Sequence, residues 1–197
     1  MMMVSFGVSS GTALKNFRQV LAGINVRPLL TQLEQNPNLW STETEWTRKD
    51  VPEPLRPYFV LYETENIVLR YNEPRLPEDR SWNRPALQAL SAAKRIILDL
   101  MSAIPGEHLG KIVITRMKSG ETIKPHTDML PPGWPVYWQR FQIPLQVESG
   151  VRFVCDEEEL YMRPGTAWWF NNQIQHAVYN DSKTDRISML ADIKPWA

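Results

Sequence analysis

This sequence has little cysteine, little histidine, no net charge and no long apolar run. Cys155 is the only cysteine in 197 residues, which excludes an internal disulfide and argues for a reducing compartment. Lysine plus arginine and aspartate plus glutamate number 22 each, so no long-range field steers the chain toward nucleic acid or an anionic membrane. No apolar stretch approaches the ~18 residues of a membrane span. Met1 to Leu14 lacks the basic and apolar regions of a secretory signal. The expectation is a soluble, cytoplasmic protein. Sixteen prolines and eight tryptophans suit a compact domain with many turns.

The chain divides near residue 66. Residues 1–66 read as a helical and looped leader packed on a core formed by 67–197, the whole making one structural domain. Thr12 to Leu21 has the makings of a helix start, interrupted by Gly23 and Asn25. Val26 to Asn36 is the better helix, with Leu29, Leu30 and Leu33 on one face, Pro28 in its first turn and Pro37 ending it. Leu39 to Tyr58 reads as an ordered loop, and Ile67 to Tyr71 as a short strand. Arg84 to Ala103 is predicted as one helix: Leu87, Leu90, Ile97 and Leu100 recur near helical spacing, and Pro105-Gly106 stops it.

From Lys111 onward the pattern changes to short β-rich segments separated by turns: 111–117, 138–147, 151–155, 159–162, 167–170 and 185–193. Strands at such spacing indicate a sandwich or barrel. Phe141, Ile143, Leu145 and Val147 fall on one side of their strand, with Arg140, Gln142 and Gln146 on the other. Ile187, Met189, Ala191 and Ile193 likewise oppose Arg186, Ser188, Leu190 and Asp192. The apolar sides suit packing on the 84–103 helix. The arginine sides face either water or a polar cavity.

The chemistry-bearing residues cluster in the same region. His126 and Asp128 form H-T-D after the Ser119-Gly120 turn, and His176 follows fifty residues later. Two imidazoles and one carboxylate make the facial triad of non-haem Fe(II) oxygenases. Against this, His126 has a lesser reading as a surface histidine in the loop 118–135 and His176 one as a turn histidine, while His108 is taken as structural. Arg186 and Arg140 are either exposed strand residues or a bidentate clamp for a carboxylate. Trp134, Tyr137 and Trp138 stand in the loop after H-T-D, as substrate contacts or as simple packing.

From about Ile112 to Lys194 the chain resembles the aspartyl/asparaginyl β-hydroxylase family of 2-oxoglutarate- and Fe(II)-dependent dioxygenases. The matching features are I-V-I-T-R-M before the S-G turn, P-H-T-D, R-F-Q-I-P-L, M-R-P-G-T-A-W-W-F-N-N, H-A-V-Y-N-D and D-R-I-S-M-L-A-D-I, in order. The resemblance implies a mainly β fold, a double-stranded β-helix (a jelly-roll or cupin-like barrel) with N-terminal helices packed on one sheet. It implies iron on His126, Asp128 and His176, and 2-oxoglutarate held by Arg186 and Thr115 at its distal carboxylate. Arg140 would approach the carboxylate nearer the metal, and Gln142 and Ser188 complete the cosubstrate set. The family commonly has histidine where this chain has Gln142. The animal enzyme has glycine where this chain has Asp128, so the resemblance is greater to the bacterial branch.

The expected activity is hydroxylation of an unactivated C–H bond in an amino-acid-like or peptide substrate, with O2 consumed and succinate and CO2 released. Rival readings are a cupin-like Zn(II) hydrolase or isomerase, a non-catalytic binding module, and a structural or assembly protein. Only the first two would take up metal.

Overall fold

The alternation along 139–146 and 186–194 sets the architecture. The computed structural model describes residues 14–40, 64–72, 81–106, 108–128 and 139–194. Its strands are β1 (Phe17–Leu21), β2 (Glu65–Asn72), β3 (Ser81–Asn83), β4 (His108–Met117), β5 (Thr122–His126), β6 (Gln139–Gln146), β7 (Val151–Cys155), β8 (Glu158–Leu160), β9 (Ala167–Phe170), β10 (His176–Asn180) and β11 (Arg186–Lys194). The helices are α1 (Arg27–Gln35), α2 (Ala86–Ala89) and α3 (Ala93–Ala103). One antiparallel sheet runs β1-β9-β6-β11-β4-β2-β3, and a smaller one runs β5-β10-β7-β8. This is the mainly β, jelly-roll architecture expected.

The large sheet buries an apolar outer face. Phe141, Ile143 and Leu145 of β6 and Met189, Ala191 and Ile193 of β11 pack there against Leu87, Leu90, Ile96, Ile97 and Leu100, with Leu29 and Leu33 of α1. Each such side chain, fully buried, contributes roughly 1.5–3 kcal/mol. The inner face meets the small sheet across a second cluster: Phe17, Met117, Phe170 and Leu190 from one side, Ile123, Phe153 and Val178 from the other. The arginine sides of β6 and β11 therefore look into the space between the sheets. They do not face water.

Three expectations change. Val147 lies in the inter-sheet cluster and not with Phe141, Ile143 and Leu145. The β6–β11 register slips between Gln146 and Pro144, and a slip reverses which face later residues occupy. The 84–103 helix is broken at Leu90–Ala92, where Leu90 leaves helical geometry at ψ 50°. Gln32 of α1 occupies the break, accepting from the Ala92 amide at 2.9 Å and donating to the Ser91 hydroxyl at 3.1 Å. Finally, within the helix start expected at 12–21, Phe17–Leu21 form strand β1, paired with β9 from Phe17↔Phe170 to Leu21↔Ala167. The Glu158 carboxylate anchors its entry, accepting from the amides of Lys15 and Asn16 at 2.7 Å each.

Candidate metal and anion site

Two strands that the hydrophobic pattern did not announce carry the histidines. His126 ends β5 and His176 begins β10, and the two are cross-strand partners. A register shift in β5 around Lys124–Pro125 bends the strand and brings the Lys124 carbonyl beside the His126 ring. His126 Nδ1 lies 2.7 Å from Lys124 O, and His176 Nδ1 lies 2.9 Å from Ile174 O. A carbonyl only accepts, so both Nδ1 atoms carry the proton and both Nε2 atoms present a lone pair. Both rings are thus set in the tautomer a metal requires.

Asp128 completes the group. Its amide donates to Asn172 O at 2.9 Å, which ties the end of the H-T-D segment to the turn leading into β10. Its carboxylate lies 3.7 Å from His126 Nε2 (Oδ1) and 3.5 Å from His176 Nε2 (Oδ2). One ligand atom from each residue falls within 4.8 Å of the others. Arg140 NH1 approaches Oδ2 at 2.7 Å as an ion pair, yet no hydrogen-bond donor is aligned on this buried oxygen among the described residues. Burial pushes the Asp128 carboxyl up, but Arg140, His176, His126 and Lys111 together hold it below its ordinary value. His176 is 4 % exposed, packed against Phe153 and Phe170, and burial lowers its imidazole to about 4. His176 is therefore neutral and Asp128 anionic, and with His126 they make a ligand set that fits a divalent metal.

On the inner face of β11, Arg186 is 3 % exposed and has no hydrogen bond or ion pair among the described residues. Burial lowers its guanidinium to about 10. One step along the same face, the Ser188 hydroxyl is buried without a partner, as is the Gln142 amide nitrogen on β6. Thr115 pairs with Ser188 across β4–β11, and its hydroxyl reaches Ser188 O only at 3.5 Å. Unpartnered buried donors are costly unless a ligand accepts from them. Arg186, Gln142, Thr115, Arg140 and the triad line one cavity, with Ile123, Phe153, Phe170, Val178 and Leu190 as its apolar walls. The space is narrow, about 30 Å³.

Arg140 is more committed than the sequence suggested. Besides Asp128, it forks onto Asp192, with Nε to Oδ1 at 2.7 Å and NH2 to Oδ2 at 3.0 Å. Asp192 was missed as a site residue, although alternation along β11 had already placed it on the arginine side. Lys111 was missed too; burial, and then Arg140, lowers its ammonium to about 8. His108 stands away from the triad at the start of β4, paired with Lys194. Trp134, Tyr137 and Trp138 lie outside the described residues.

The aspartyl/asparaginyl β-hydroxylase family model matches residues 59–195, beginning earlier than the motifs did. No curated protein matches the chain significantly. Among solved structures, the chain is similar to a 2OG-Fe(II) oxygenase family oxidoreductase from Burkholderia pseudomallei, at 15 % identity over 66 % of this chain and 67 % of that one, with TM-score 0.52. It is also similar to a viral collagen prolyl hydroxylase from Paramecium Bursaria Chlorella virus-1, solved as its 2OG complex, at 11 % identity over 93 % and 97 %, TM-score 0.54. A prolyl-4-hydroxylase from Pseudomonas putida gives 11 % over 92 % and 94 %, TM-score 0.52. At these identities the structures show the fold alone. The family match covers well over half of the chain, and this protein belongs to the aspartyl/asparaginyl β-hydroxylase family, as a hydroxylase working with Fe(II), 2-oxoglutarate and O2.

Proposed function

We propose that this chain hydroxylates an unactivated C–H bond of an amino-acid-like or peptide substrate and releases succinate and CO2 from 2-oxoglutarate. The observation that carries the reading is the buried Arg186, unpaired among the described residues, lining the same cavity as the His126, Asp128, His176 triad. An uncompensated buried cation is costly, and the distal carboxylate of 2-oxoglutarate supplies the counter-charge in this reading.

In this reading the triad holds Fe(II). Arg186, Ser188, Thr115 and Gln142 take the distal carboxylate of 2-oxoglutarate, and Arg140 sets positive charge at the metal end. Fe(II), with 2-oxoglutarate, supplies the oxidising power drawn from O2. The residues hold the cosubstrate in one orientation through the Arg186 fork. Phe153, Phe170 and Leu190 exclude water from its aliphatic chain. The lack of a second cysteine to pair with Cys155 supports a cytoplasmic setting. Among the described residues, no helix is long and apolar enough to cross a membrane.

The test is succinate formation by purified protein with Fe(II), O2 and 2-oxoglutarate, against panels of amino acids, peptides and lipids. Substrate-stimulated succinate from an amino acid or peptide supports the proposal. Stimulation by lipid alone overturns the substrate class. Failure to bind 2-oxoglutarate in the presence of Mn(II) overturns the cosubstrate site.

A further inference from the structure

Arg140 joins a carboxylate of the metal triad to one that no ligand role accounts for. Its Nε and NH2 edge is forked onto Asp192 at 2.7 and 3.0 Å, while NH1 reaches Asp128, also at 2.7 Å. Asp192 is 5 % exposed and stands directly opposite Arg140 in the β6–β11 register, so this geometry is built into the sheet.

We infer that Asp192 is a positioning residue for the metal centre: by occupying the fork of Arg140 it keeps Asp128 available to the metal. A guanidinium beside a lone carboxylate pairs with it through two parallel N–H bonds. Directed at Asp128, that fork would cover both oxygens and neutralise the one anionic ligand of the triad. With Asp192 in place, the fork edge is already filled and its charge compensated. Asp128 then receives one contact and keeps its charge for the cation. Asp192 thus acts on the metal through Arg140, without touching it. The inference rests on the triad as the metal site.

Mn(II) affinity, measured by calorimetry on the whole chain without 2-oxoglutarate, tests it by a double-mutant cycle. Asp192→Asn keeps the shape and removes the charge. It is expected to weaken Mn(II) binding about 10–100-fold, the range for residues that orient metal ligands. In an Arg140→Gln background no fork exists to redirect, so the same substitution should change affinity by no more than about twofold. Unchanged affinity in Asp192→Asn overturns the inference. An equal loss in both backgrounds also overturns it, because Asp192 would then act independently of Arg140. Should Asp192→Asn not fold, Asp192→Glu takes its place in the same cycle, since its extra methylene displaces the fork while keeping the charge. A severalfold loss that disappears with Arg140→Gln supports the inference, and a loss that persists refutes it. Absence of Mn(II) binding by the unaltered chain removes the metal site itself, a separate failure that takes this inference with it.

Discussion

His126 and His176 are partners in the β5–β10 ladder, their ring centroids 4.2 Å apart and their Nδ1 atoms both bonded to the carbonyl two residues earlier. The same local device, repeated on two antiparallel strands, aims two Nε2 lone pairs at one point. Strand pairing turns a fifty-residue separation into a chelate.

The carboxylate between them tests that chelate most directly. Asp128→Gly leaves two imidazoles in a pocket formed around an anion. Mn(II) affinity is expected to fall by at least about 10–100-fold, with turnover falling further. Calorimetry beside succinate assays checks this, and full activity in the glycine variant would make Asp128 an ordinary loop aspartate.

Arg186 should show opposite effects on stability and on binding. The residue is buried, also lines a second, apolar cavity with Val147, Val151, Phe153, Leu160 and Met162, and has no counter-ion among the described residues. Arg186→Met removes that uncompensated charge and is expected to stabilise the ligand-free protein by about 1–4 kcal/mol. The same change should cost about 2–5 kcal/mol in 2-oxoglutarate affinity, and lysine should restore only part of it. Thermal melts and calorimetry on one preparation read both signs.

His176 makes the metal-free protein acid-sensitive. Its imidazole falls from the ordinary 6.5 to about 4 on folding, so between those values the unfolded chain binds more protons. Stability is therefore complete above about pH 6.5 and lost progressively as the pH drops toward 4, by a few kcal/mol in all. Melts across that window should show the slope, and His176→Gln should flatten it.

Cys155 should be inert while the protein is folded. It is buried on β7, its thiol contacts the Asn171 carbonyl at 3.5 Å, and burial raises it to about 11. Alkylation at pH 8 is expected to run at least on the order of a hundredfold slower than in denaturant, because the thiolate is the reactive species. Comparable rates would place the thiol at the surface.

Several of these features were open to reading from the chain alone. The two-residue period of 140–146 and 186–193 put Arg140, Gln142, Arg186, Ser188 and Asp192 on one side, because pleating allows no other arrangement. The H-x-D pair, the distant histidine and the ordered motifs from Ile112 to Lys194 located the triad before any fold was known. What side those arginines faced was not legible. That depends on whether a second sheet covers them, and the strands of that sheet were partly invisible. T-I-K-P-H offers a single aliphatic residue and a proline that cannot donate to a ladder, so β5 exists through its pairing with β10. β1 is likewise a strand through its pairing with β9, and α2 and α3 part because Gln32, about sixty residues away, bonds the backbone between them. Local sequence determines periodicity and the residues able to ligate. Tertiary structure alone decided which short segments became strands and which carboxylate met which arginine, since the bonds that settle both come from chain far away in sequence.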